Sequence, residues 1–201
     1  MRYSEIICEN AAGMSTSDVA NAILNYVVHF EDIDGSEIRD ALAQLGMPKP
    51  SQEMVLYRAL SMSVPDSMGT VDNFLKGIEI RLSATDTAFS ASPAIGNIVA
   101  YDRANRDQRQ FVSADDEDIL AMNAEDVGLV IVMVECRVPP SGIFVSINDA
   151  LEYCKARGAS VDEQNMEWFV DNDYHKEQEV LADGSKCRIV NQTVVGVVLN
   201  R

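Results

Sequence analysis

Apolar residues at Val19, Ile23, Tyr26 and Val27 recur along one helical face. The run Ser15-Thr16-Ser17-Asp18 ahead of them supplies capping side chains, so the pattern predicts a helix over 18–30. Asp34-Gly35-Ser36 breaks it. Ser36 and Asp40 with Ile38, Leu42 and Leu45 mark a second helix, stopped by Gly46 and Pro48. Lys49-Pro50-Ser51 turns the chain, and 53–60 reads as a strand. Residues 61–74, with Pro65, Asp66 and Gly69, read as a loop. Alternation over 77–82 predicts another strand. Phe89-Ser90-Ala91-Ser92 predicts a short one, halted by Pro93. Ile95, Ile98, Val99 and Tyr101 are the apolar positions of a helix from Ala94 to Ala104, and 103–127 is polar enough to read as exposed. The unbroken apolar run over 128–135 predicts a strand buried on both faces. After the Pro139-Pro140-Ser141-Gly142 turn, 148–157 reads as a helix with Asn148 as N-cap and Gly158 as stop. Residues 159–175 form a polar connection carrying Trp168, Phe169 and Tyr174. Three strands close the chain, 177–182, 186–191 and 193–199, the first two joined by a hairpin turn at Asp183-Gly184-Ser185.

These elements make an α/β (α+β) chain with one domain over 15–201. Residues 1–14, mixed in character and ending in Gly13-Met14, read as a tail or docking segment. The 201 residues suffice for one sizeable core. Charge changes the picture more than length does. Sixteen basic against 32 acidic residues give a net charge of −16, which repels nucleic acid and anionic lipid and attracts basic proteins. Solubility, or life in a salty environment, explains the same charge. Cys8, Cys136, Cys154 and Cys187 form no C-x-x-C pair, and with two histidines no metal site is expected. Reduced thiols in a cytoplasmic compartment are the expectation. The N-terminus lacks the apolar core of a signal peptide, and no apolar run approaches membrane-spanning length. Neither G-x-G-x-x-G nor G-x-x-x-x-G-K-[ST] occurs.

Candidate chemistry concentrates in Tyr174-His175-Lys176-Glu177-Gln178-Glu179-Val180-Leu181. In a strand, Glu177 and Glu179 share a face, with Tyr174 in the loop leading to it. Two carboxylates beside an aromatic ring suit a cationic or oxocarbenium-like centre. In so acidic a chain an isolated E-x-E is ordinarily solvated charge. Arg58, beside Tyr57 in the 53–60 strand, is costly to bury without an anionic partner. It is either an edge-strand arginine facing solvent or an anion clamp. Ser90 and Ser92 alone would be turn and cap residues.

The order of these pieces carries more than any one of them. An apolar strand holds Leu56-Tyr57-Arg58-Ala59-Leu60, a Phe-Ser-x-Ser segment and a helix follow, and Glu-x-Glu-Val-Leu with Asp183-Gly184 comes last. Over roughly residues 18–201 this resembles the arginine–serine–glutamate class of mono-ADP-ribosyltransferases, which includes bacterial toxins and enzymes of tailed bacteriophages. The resemblance implies an ADP-ribosyltransferase-like fold of two packed, mainly antiparallel sheets with flanking helices. It implies NAD as substrate, a protein acceptor modified on arginine, and no metal.

Residue by residue, it implies that Arg58 holds the NAD phosphates, with Tyr57 in the same cofactor-binding set. Ser90 braces the catalytic glutamate near the nicotinamide ribose, and Ser92 is the last serine of that motif. Tyr101 is the aromatic against the nicotinamide. Glu179 is the catalytic glutamate on the ribose hydroxyl, Glu177 engages the acceptor guanidinium, and Tyr174 belongs to the substrate-recognition loop. Ala91 stands where relatives have the middle threonine and Ala59 where they have glycine; the 148–157 helix is an insertion. The string Met1-Arg2-Tyr3-Ser4-Glu5-Ile6-Ile7 is similar to the starts of some phage virion proteins, which places a phage-encoded enzyme in the host cytoplasm or on the virion. Two rivals stand beside the transferase: a non-enzymatic structural or binding protein on a degenerate transferase fold, and an NAD glycohydrolase.

Overall fold

The computed structural model describes residues 13–29, 32–82, 87–106, 108–115, 118–172 and 174–200. Cys8, Thr85, Asp86, Asp116, Glu117 and nearly all of the expected 1–14 tail lie outside them. The chain is mixed α/β, with six α-helices and seven strands among the described residues. It divides into two compact units of interleaved segments.

The first unit draws on Met1–Met54, Ser83–Ala91 and Val138–Cys187. Its helices are α1 (Thr16–His29), α2 (Gly35–Gln44), α5 (Ile147–Ala156) and α6 (Glu163–Asp171). Its strands are β2 (Thr87–Ser90), β5 (Ile143–Ser146) and β6 (Glu179–Ala182), in the order β2-β6-β5. Both pairings are antiparallel, with Phe89 opposite Val180 and Val145 opposite Leu181. Helix α1 starts as the sequence indicates. The Ser15 N–H donates to Asp18 Oδ2 at 2.8 Å and the Asp18 N–H to Ser15 Oγ at 3.2 Å, a reciprocal cap. Asp34 caps α2 by accepting from the N–H groups of Ser36 and Glu37. Gly46, at φ +89°, ends it in a conformation that only glycine adopts cheaply. The apolar stripes of α1, α2 and α5 meet in a core around Ile23, Leu24, Ile38, Phe144, Leu151 and Leu181.

The second unit draws on Val55–Leu82, Ser92–Arg137 and Arg188–Arg201. It contains β1 (Met54–Ser63), α3 (Val71–Gly77), α4 (Ile95–Arg106), β3 (Phe111–Ser113), β4 (Val127–Val138) and β7 (Arg188–Leu199). The strand order is β3-β7-β4-β1. Val130, Ile131 and Val132 are all buried, so the centre of β4 is covered on both faces, as its unbroken apolar run predicts. A second core gathers Val127, Val130 and Val132 with Val71, Phe74, Ile119 and Val197. Gly196 lets β7 pass β3, since a Cβ there would collide with the Val112 carbonyl.

Several expectations need correction. Within each unit the described strands form one hydrogen-bonded layer. The 61–74 loop begins as the end of β1 and continues into α3, capped by Thr70. Residues 78–82 pair with nothing as a strand; Ile78 and Ile80 instead pack against the second core. Within 103–127 the short β3 is defined by its pairing with β7. Helix α6, capped by Asp162, occupies most of the expected 159–175 connection; it buries only Phe169, too little for a readable stripe. Asp183 does not turn a hairpin. It caps a short 3-10 turn over Gly184–Lys186, after which the two expected last strands run as one, β7.

Candidate functional site

The E-x-E segment is bent where the sequence predicts a straight strand. Tyr174–Glu177 forms a 3-10 turn, Gln178 takes φ +49°, and β6 starts at Glu179. Glu177 therefore lies outside the strand, and alternation does not set its relation to Glu179. A left-handed conformation costs a non-glycine residue about 1–2 kcal/mol, so it persists only where its surroundings hold it.

The holding groups come from the end of β2. Ser90 is 2% exposed and lies in register with Glu179. Its hydroxyl donates to the Glu177 carbonyl at 2.5 Å, and the Ala91 N–H donates to the Gln178 carbonyl at 3.0 Å. The carbonyls on both sides of the kink are thus tied to one strand end. From the other side, Asn148 Nδ2 of α5 donates to the His175 carbonyl at 2.8 Å. Asn148 is therefore no N-cap. Ser146 occupies that position and makes no capping bond. The helix that looked like an insertion anchors the turn leading to the two glutamates.

The kink delivers the Glu179 carboxylate to α1, where the Tyr26 hydroxyl donates to its Oε1 at 2.7 Å. Burial pushes the Glu179 pKa up, the Tyr26 hydrogen bond pulls it down, and the nearby Glu177 charge pushes it up again; the net shift is upward. Glu177 therefore still acts electrostatically on Glu179. The result is a desolvated carboxylate held by the Tyr26 hydroxyl, with a second carboxylate as its neighbour. Such a group can stabilise positive charge developing beside it or accept a proton.

Tyr26 is the member that the sequence missed. Its position on the apolar stripe of α1 marks it as core, yet a tyrosine hydroxyl carried into a core needs a partner, and that was the available signal. Tyr174 is half-buried against the first unit's core.

The other residues singled out in the sequence belong to the second unit. Arg58 is half-buried on β1 beside the half-buried Tyr57. Burial raises the Cys136 thiol pKa to about 11, against the opposing pull of the Arg58 charge. Ser92 lies beyond the end of β2, in the turn into α4, and its Oγ accepts from the Ala94 N–H at 3.3 Å. Tyr101 on α4 is 58% exposed and meets Phe111 edge-on, with ring centroids 5.3 Å apart. Cys136, Cys154 and Cys187 are free thiols. Among the described residues no cluster of three His, Cys, Asp or Glu could hold a metal, and no helix is long and apolar enough to cross a membrane. No protein-family model, curated protein or solved structure matches the chain.

Proposed function

We propose that the chain is an NAD-dependent mono-ADP-ribosyltransferase that modifies a protein on arginine. The observation that carries this reading is the Ser90–Glu177–Glu179 arrangement. A serine on one strand end fixes the backbone ahead of a desolvated, hydrogen-bonded carboxylate on its partner strand. Transfer breaks the bond between nicotinamide and ribose, and positive charge builds on the ribose as nicotinamide leaves. In this reading Glu179 stabilises that charge from an environment poor in water, where a fixed charge is most effective. Glu177 orients the acceptor guanidinium and takes its proton as the new carbon–nitrogen bond forms. A guanidinium is otherwise fully protonated and a poor nucleophile.

The ADP-ribosyltransferase-like fold is part of the proposal. So are the roles of Arg58, Tyr57, Ser92 and Tyr101 toward NAD and of Tyr174 toward the acceptor. A basic acceptor suits the net charge of −16. The cellular setting proposed is the bacterial cytoplasm, reached by a phage-encoded enzyme.

One observation favours the non-enzymatic reading: the Ser90 hydroxyl donates to a backbone carbonyl and not to the Glu179 carboxylate. Incubation with labelled NAD and bacterial lysate separates the readings. A labelled protein band that requires Glu179 supports the transferase. Nicotinamide release without protein label identifies a glycohydrolase. Neither product points to a structural or binding protein.

A further inference from the structure

A cavity of about 350 Å³ lies in the first unit between α2, the segment after it and β5. That is the small end of the range for ligand clefts, about 300–1,000 Å³. Leu42, Met47, Phe144 and Val145 give it apolar walls. Its polar lining is Arg39, Lys49, Ser51, Gln52, Ser146 and Asp149. None of the residues that the sequence marks as catalytic or cofactor-binding is among them.

The polar lining carries two cations, Arg39 and Lys49. Arg39 Nε donates to Asp40 at 2.8 Å, and its guanidinium lies 5.5 Å from the centre of the Phe144 ring, which fixes the fork against the wall. The Asp34 and Asp40 carboxylates both feel its charge. Lys49, Ser51, Gln52 and Asp149 are exposed and Ser146 is half-buried, so water reaches this side of the lining, and the Lys49 charge also acts on Asp40. Two cations, two hydroxyls, an amide and one carboxylate thus border one apolar space. The chain as a whole carries −16, so it repels anions generally, and affinity for one must come from a local group of donors.

We propose that this cavity binds a small amphipathic organic anion, a carboxylate or phosphate on an apolar body. The anionic group meets Arg39 and Lys49 as charge-assisted hydrogen bonds. The body fills the space beside Leu42, Met47 and Phe144. Asp149 accepts from an N–H or O–H elsewhere on the same ligand. This inference is independent of the transferase reading.

The test titrates the full chain with 1-anilinonaphthalene-8-sulfonate, which has a planar body, an N–H and a sulfonate standing in for the carboxylate or phosphate. N-phenyl-1-naphthylamine, lacking the sulfonate, is the neutral control. Saturable one-to-one binding of the sulfonate is expected, weakened about tenfold or more by Lys49→Gln and by Arg39→Gln. Neutral-dye binding should be unchanged in both variants. Lys49 is exposed, so Lys49→Gln decides the matter if Arg39→Gln fails to fold. Displacement by octyl phosphate alone identifies a phosphate ligand; displacement by octanoate identifies a carboxylate. Non-saturating binding, equal affinity in Lys49→Gln, or displacement by neither competitor overturns the proposal.

Discussion

Replacing Tyr26 with Phe tests the Glu179 environment without presupposing any activity. The ring remains, so no cavity opens, and the 2.7 Å hydrogen bond to Oε1 is lost. A bond to an ionised acceptor contributes about 1.5–3 kcal/mol, and one to a neutral acceptor about 0.5–1.5 kcal/mol. The loss should therefore depend on the charge of Glu179. Its folded pKa lies above the ordinary 4.5, raised by burial and only partly offset by Tyr26. A raised carboxyl pKa favours the folded state below the unfolded value, and that advantage is lost as pH rises through the folded pKa. Removing Tyr26's donor raises the folded pKa further, so the variant loses more on ionisation than the wild type does. Urea unfolding from about pH 8 to about pH 5 measures this and stays above the isoelectric point near 4.3. The stability difference should be about 1.5–3 kcal/mol at the alkaline end and should shrink toward the acidic end. Carbon NMR of the Glu179 carboxyl should show its titration midpoint moving up. A difference that is flat with pH, or a midpoint that moves down, refutes the reasoning.

Three further outcomes follow from the same residues, the last two on the proposed transferase reading. Ser90→Ala removes the hydroxyl that donates to the Glu177 carbonyl and should destabilise by about 1–3 kcal/mol in urea unfolding; a loss under a few tenths would mean that the kink holds without it. Glu179→Gln should lower nicotinamide release from NAD by about 10²–10³, and near-normal release would remove Glu179 from the chemistry. Glu177→Gln should lose label transfer to protein arginine while keeping much of the NAD hydrolysis; a variant that labels its target as the wild type does would make Glu177 a surface charge.

Local pattern was enough for much of the scaffold. Helices α1, α2, α4 and α5 and strands β1 and β4 follow from periodicity and punctuation, because burial of one face imprints a repeat on contiguous residues. The caps at Ser15 and Gly46 were legible for a similar reason, since each acts within a few residues of itself. Glu179 and Ser90 could be singled out by residue type and order, but nothing local fixes how they meet. That is a matter of partners distant in the chain. Glu179 finds its donor 153 residues away on α1, and Ser90 finds its acceptor 87 residues away. The choice of strand neighbours is equally non-local. Strand β6 pairs with β2 and β5, so the Asp183-Gly184 hairpin that local chemistry suggested does not form. The left-handed turn at Gln178 has no sequence signal, because glutamine has no preference for it. The clasp from Ser90 and Ala91 imposes it, and the sequence alone cannot show that clasp.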